Sequence, residues 1–490
     1  MKKPSGKMIA VIVLVVVAAA AIASVFVYRN GKLNLLNRPE YKRLASGIEQ
    51  AAADGSFTSQ QSLQDFLTAW ARGNDLEYTV DDYGNIIFTK QAADRKKKVS
   101  PTVICVNCNF ETADSDACAL ASAAMIAKTD IESGRRTVIF FSNEKDMGEG
   151  YKNISSSYFT DNTKVIYVDS GNASYLSTHS YAQETSYIDV PVSREDASCD
   201  TAVKISITGL DSGFVSSGID NRPDVIGELG YILNMLKTKS VTSQLSDFSV
   251  GGNGNMYPVS MHATILINSY SLSSFTSYLD KQIKEWNNMY GDKYSALSFT
   301  YEIIEDEEDI PDRAYSDDTF DKLANLLYTV KSGTYQFASG DSIPDGYEEG
   351  DNYGLNCMVN LTAGGKVIRL RLLSRACDNE YLNRIVIDSS AAAELCDCTF
   401  SEGDIENAFD GESEALAETI IKTYKKVKDI GGDSLRISSS GDSYFTPCSY
   451  LSQINENMKI IHIRENNENG AVLTNTLLCY IQTKGNFLSL

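Results

Sequence analysis

The sequence predicts an α/β domain interrupted by a second, α+β domain, both behind an N-terminal membrane helix. Three observations carry this prediction. Thr102 to Ser142 gives a strand, an Ala-rich helix and a strand in succession, with polar residues where each strand ends. From about Val190 the pattern changes to antiparallel-looking strands separated by long amphipathic helices. Met8 to Val27 is an apolar run of 20 residues.

That run is preceded by Lys2, Lys3 and Lys7 and followed by Tyr28, Arg29 and Lys32. A secretory-signal core is usually about 7–15 residues, whereas about 20 can cross a bilayer as a helix. The expectation is an uncleaved single-pass anchor at 8–28, a cytoplasmic tail at 1–7, and a body on the extracytoplasmic side of the cell membrane. A cleaved signal with small residues at Ala21 to Ser24 is the competing possibility.

The 44 basic and 65 acidic residues give a net charge of −21, which repels nucleic acid and anionic lipid headgroups. Nucleic acid is therefore not an expected partner. Ten cysteines are scattered along the chain, among them Cys105 in an apolar strand, Cys118 in an Ala-rich helix and the pair Cys396 and Cys398. None has the second pair or the histidine spacing of a zinc finger, so a structural role is expected.

Amphipathic helices are predicted at Tyr41–Ala53 and Ser59–Arg72, the second starting at Thr58-Ser59-Gln60-Gln61. Leu76 to Lys90 reads as a hairpin turning at Asp81 to Asn85. Strands at Thr102–Val106, Thr137–Ser142 and Lys164–Asp169 flank a helix at Ala117–Lys128. The interrupting region is placed at 191–408, with helices at Val225–Lys237, Leu272–Tyr290 and Asn379–Ala393. The acidic stretch Glu305–Asp312, with Pro311, is expected to join two parts of it. The first domain, 35–190, is completed by 409–490, with a helix at Glu412–Lys428 and strands at Met458–Ile463 and Leu477–Gln482.

Four segments in this order resemble the dinuclear-zinc exopeptidases, most closely their aminoacyl-histidine (Xaa-His) dipeptidase branch. Asp82-Tyr83-Gly84-Asn85-Ile86 is similar to the D-x-x-G-N hairpin. Thr112-Ala113-Asp114-Ser115-Asp116-Ala117 is similar to the segment that opens the Ala-rich helix. Val138 to Gly148 resembles the strand leading to D-E-E-x-G, and Val165 to Ser170 the strand ending in a ligand Asp. Gly209 to Leu233 resembles the start of the family's lid. The resemblance implies a three-layer αβα catalytic-type domain split by an inserted α+β lid.

It also implies a site, and there the chain departs from the pattern. A cocatalytic zinc pair needs imidazole and carboxylate ligands, one of them bridging, and a free Glu as base. Asn107 and Asn109 stand where the first ligands belong, and Ser216 where the lid His belongs. Glu144 or Lys145 falls at the general base. Asp114, Asp146 and Asp169 keep carboxylates, enough for a vestigial or hard-cation (Ca²⁺ or Mg²⁺) site. Asp114 as a cap on the following helix is the equal alternative. Only three histidines exist in the chain: His179, a possible replacement ligand, and His262 and His462, read as structural.

The resemblance and its losses together imply an exopeptidase fold without hydrolysis, without a cofactor, acting as a binding or scaffolding protein. A peptide or protein partner in the interdomain cleft and a homodimer through the lid are the implied partners. The alternative is an active metallodipeptidase or aminopeptidase with an atypical site, which would need zinc.

Overall fold

The computed structural model describes residues 38–91, 100–130, 137–143, 149–171, 174–211, 222–252, 256–304, 306, 308–344, 346–411, 413–427, 435–438, 446–466 and 469–482. The apolar run at 8–28 lies outside them. Among the described residues no helix is long and apolar enough to cross a membrane. The chain divides into two compact units, with crossovers at 179/180 and 409/410.

Unit 1 opens with α1 (Arg38–Ala53) and α2 (Gln60–Gly73). Ser59 starts α2 as predicted: its hydroxyl accepts from the Ser62 amide, and Ser62 returns the bond to the Ser59 amide. Strands β1 (Thr79–Val80) and β2 (Ile86–Lys90) form the hairpin. Then come β3 (Thr102–Cys108), α3 (Ala117–Lys128), β4 (Thr137–Asn143), the single turn α4 (Glu149–Lys152), β5 (Lys164–Gly171), β6 (Tyr175–Ser177) and β7 (His179–Ser180). Every residue of α3 from Ala117 to Ala127 is buried. Its small side chains let helices close in on both sides while it lies on the sheet.

Unit 2 contains β8 (Ala182–Pro191), β9 (Arg194–Asp196), β10 (Thr201–Thr208), α5 (Val225–Thr238), β11 (Ser243–Gly251), β12 (Ser260–Ile267), α6 (Ser269–Tyr290) and β13 (Ser298–Ile304). It continues through β14 (Arg313–Tyr315), α7 (Asp317–Thr329), β15 (Gly333–Gln336), β16 (Asn352–Ala363), β17 (Val367–Ala376), α8 (Asn379–Leu395) and β18 (Thr399–Glu406). Its antiparallel sheets run β11-β12-β10-β13 and β15-β16-β17-β8-β18. The expected boundary at 190/191 falls at the end of β8, which is hydrogen-bonded on both sides in the five-stranded sheet. The acidic stretch near Pro311 does not separate two cores, because Phe299 before it and Tyr315 and Phe320 after it share one cluster. Helices α5 and α7 cross closely at Gly230, where a Cβ would lie 2.6 Å from Leu327 Cβ.

Back in unit 1 the chain adds β19 (Phe409–Asp410), α9 (Glu414–Val427), β20 (Arg436–Ile437), α10 (Cys448–Ile454), β21 (Lys459–Asn466) and α11 (Gly470–Ile481). The sheet order is β1-β2-β4-β3-β5-β21-β6-β20, with β4, β3, β5 and β21 mutually parallel. Helices α1, α3, α9 and α11 cover one face, and α4 and α10 pack against the other. The strand predicted at Leu477–Gln482 is the end of helix α11. A short, wholly apolar run fits a buried strand or a buried helix equally, and here Leu473, Leu477 and Ile481 repeat at helical spacing into the core. All ten cysteines are free thiols.

Candidate functional site

The register of two parallel strands builds the site. On β5 and β21, Ile166, Val168, Ile461 and Ile463 enter the core beneath α3. Strict alternation then sends Tyr167, Asp169, His462 and Arg464 to the opposite face. Tyr167 is registered against His462, and Asp169 against Arg464. This is the carboxyl edge of the parallel strands, where open α/β sheets place ligand sites.

Asp169 is only 7 % exposed. Arg464 Nη2 donates to its Oδ2 at 2.6 Å and Arg464 Nε to its Oδ1 at 3.1 Å, a two-pronged pair. His462 Nε2 stands 3.0 Å from the same Oδ1. The His462 ring is fully buried between Tyr167, 4.9 Å away centre to centre, and Tyr175, at 6.2 Å. Burial pushes the Asp169 carboxyl up, but the charges and hydrogen bonds of His462 and Arg464 outweigh it and bring the group down to about 2. Gly171 makes room for this arrangement, since a Cβ there would lie 2.7 Å from Arg464 Cδ.

Asp116 completes the cluster. It is half-buried at the N-cap of α3, and its Oδ2 accepts from Thr112 Oγ1 at 2.7 Å. Burial raises its carboxyl to about 7; the Thr112 bond opposes the rise and the Asp169 charge adds to it. The helix amide that an N-cap side chain would take is bonded from elsewhere: Ser170 Oγ accepts from Ala119 N at 2.9 Å.

These positions sort the expected residues. Asp169 holds its place, but Asp114 is exposed on the loop; Asp116 is the residue at the N-cap position of α3, without a side-chain cap bond, and its carboxyl feels the Asp169 charge. Asn107 Oδ1 accepts from Tyr151 OH at 3.1 Å, and Asn109 Oδ1 from the Glu111 amide at 3.0 Å, so both serve local structure. Glu144, Lys145, Asp146 and Ser216 lie outside the described residues. His179 approaches Asp410, with Nε2 3.2 Å from its Oδ1, and shares its other nitrogen with Thr178 Oγ1 at 2.8 Å. His262 Nδ1 meets Ser206 Oγ at 2.9 Å on a sheet of unit 2.

Sequence reasoning missed Asp116, His462 and Arg464. The signal was available in the aligned strands KVIYVDSG and KIIHIREN, whose parallel pairing puts HxR beside YxD.

Among the described residues no group of three or more His, Cys, Asp or Glu side chains is placed to hold a metal ion. The donor chemistry agrees, because Asp169 already carries a guanidinium on one edge and an imidazole beside it. A zinc ion at Asp169 would have to displace a bidentate arginine, and the described residues do not fit a cocatalytic pair.

No family model and no curated protein matches the chain. Among solved structures, aminoacylhistidine dipeptidase from Vibrio alginolyticus matches 86 % of this chain and 92 % of its own, at 12 % identity and a TM-score of 0.63. The chain shares the fold of that dipeptidase. A Staphylococcus aureus tripeptidase (8 % identity, 92 % and 99 % of the two chains, TM-score 0.47) and the aminopeptidase PepT of Bacillus cereus (10 %, 92 % and 99 %, 0.42) also align. The sequence resemblance to the Xaa-His dipeptidase branch therefore holds at the level of fold.

Proposed function

We propose that this chain is a membrane-anchored, extracytoplasmic relative of the exopeptidases that has exchanged metal-dependent hydrolysis for binding or scaffolding. The observation that carries the proposal is Arg464, paired bidentately with the one expected ligand, Asp169, that sits at the strand edge. In an active site of this type the carboxylate must stay available to a cation and a Glu must accept the proton of a bound water. Here the cation is part of the chain, and it cannot be exchanged or carry a water. Asn107 offers a neutral amide already used by Tyr151 where an imidazole would serve. The apolar run at 8–27 with three lysines before it supports the anchor and the cell-membrane location. A peptide or protein is the proposed partner, and the lid the proposed surface for a homodimer.

The competing activity, an exopeptidase using Asp114, Asp146 and Asp169, draws on the fold likeness alone. Metal analysis and a dipeptide hydrolysis panel on the full chain in nonionic detergent separate the two. The proposal expects less than one zinc per chain and no turnover in excess Zn²⁺, Mn²⁺ or Ca²⁺. About two zinc ions per chain, with turnover abolished by Asp169→Ala, would overturn it.

A further inference from the structure

Unit 2 holds a pocket of about 390 Å³ that the site at Asp169 does not use. Its size lies within the range of small-molecule sites, roughly 300–1,000 Å³. Leu355, Met358 and the ring of Tyr257 supply apolar lining, and Thr334 borders it from β15.

The chemistry is set by Arg222. Its guanidinium lies 4.6 Å over the Tyr257 ring, a stack that fixes its plane. One terminal nitrogen donates to the Asp211 carbonyl. Its Nε is buried and has no acceptor among the described residues. Buried donors of charged groups are almost always satisfied, so an orphan on a pocket wall marks the place of an acceptor.

The neighbouring carboxylate does not fill that role. Asp224 is turned to the start of α5, where its Oδ1 accepts from Gly227 N at 2.8 Å.

We propose that this pocket binds a small amphiphilic oxyanion, a carboxylate or phosphate monoester on a short apolar stem, with Arg222 Nε–H donating to the anionic oxygen. The stem lies along Leu355, Met358 and the Tyr257 ring. The site is independent of whether Asp169 takes a metal, so it stands or falls separately from the loss of hydrolysis.

Calorimetric titration of the full chain in nonionic detergent tests it, with hexanoate, hexyl phosphate, and hexanamide as the neutral match. The expected result is one site for hexanoate or hexyl phosphate, with hexanamide weaker by roughly tenfold or more. The preferred anion identifies the headgroup. Arg222→Gln should erase the preference for the anion over hexanamide. Thr334→Trp, which narrows the pocket and leaves its charge, should weaken all three probes. Should Arg222→Gln fail to fold by circular dichroism, Thr334→Trp decides. Equal affinity for hexanoate and hexanamide, anion binding unchanged in either folded variant, or no binding of any probe at millimolar concentration would overturn the proposal.

Discussion

Arg464 decides what Asp169 can do. A carboxylate this buried persists as an anion only because a guanidinium and an imidazole share its oxygens. The pair is weak evidence of net stabilisation, yet removing one partner is costly, because the other stays behind uncompensated. Arg464→Ala should therefore destabilise unit 1 by about 3–5 kcal/mol. Arg464→Lys should recover only part of that, since an ammonium cannot make both bonds. Chemical denaturation followed by far-ultraviolet circular dichroism reads the difference, and an Arg464→Ala protein of unchanged stability would show that the pair is idle.

Elements were legible wherever one residue class settled the geometry. The helix start at Ser59, the all-small helix α3 and the buried strands β3 and β5 follow from capping chemistry, side-chain volume and uninterrupted apolarity. The hairpin was legible as a turn, but not in its wiring. Asp81, not Asp82, is the acidic residue that works: its Oδ1 accepts from the Asn85 amide at 2.9 Å and its Oδ2 from Asn85 Nδ2 at 2.7 Å. The D-x-x-G-N pattern thus begins at Asp81. Asn85, fully buried, also accepts from the Asn143 amide at 2.9 Å, which ties the turn to the end of β4. Gly84 sits at φ +84°, where a side chain would be strained. Asn85→Ala should cost about 2–3 kcal/mol by orphaning several buried groups, while Asp82→Ala should stay within about 0.5 kcal/mol. Equal effects from the two substitutions, measured by urea denaturation, would refute this assignment. Helix α11 was misread for the opposite reason: the stretch Leu477 to Ile481 is apolar throughout, and only the packing partners distinguish a helix from a strand.

Across the whole molecule, three carboxyls in both units are held near neutrality. Asp116, Glu184 and Glu228 each rise to about 7, burial being the first cause in every case. Glu228 accepts from Trp286 Nε1 at 2.9 Å, which opposes its rise without cancelling it. A carboxyl whose folded value exceeds its unfolded one binds more protons when folded, so its contribution is full below about pH 4 and is lost as pH climbs through 7. Depressed Asp169 works oppositely, its contribution being full above about pH 4 and lost only as pH falls toward 2. Between those limits the raised groups dominate. The melting temperature should therefore rise by several degrees from pH 8 to pH 5.5, and Asp116→Asn with Glu184→Gln and Glu228→Gln should flatten the profile. A melting temperature that falls over this interval would contradict the assignment. None of this could be read from the sequence, because Asp116 is one of three acidic residues within six positions and nothing local says which one is enclosed. The site as a whole was legible as a location and not as a chemistry: Asp169 stood out at its strand end, while His462 and Arg464 lie 293 and 295 positions further along and meet it only through strand pairing.

The late arrival of β21 has a consequence during synthesis. Its partner strand β5 leaves the ribosome nearly 300 residues earlier, and most of the intervening chain is unit 2. The insertion can reach its own folded state while β5 still shows a bare, apolar hydrogen-bonding edge at Val165 to Val168. Unit 1 is thus obliged to wait for its C-terminal part, and the interval in which that edge stands open is where a nascent chain of this design is most exposed to mispairing with its neighbours.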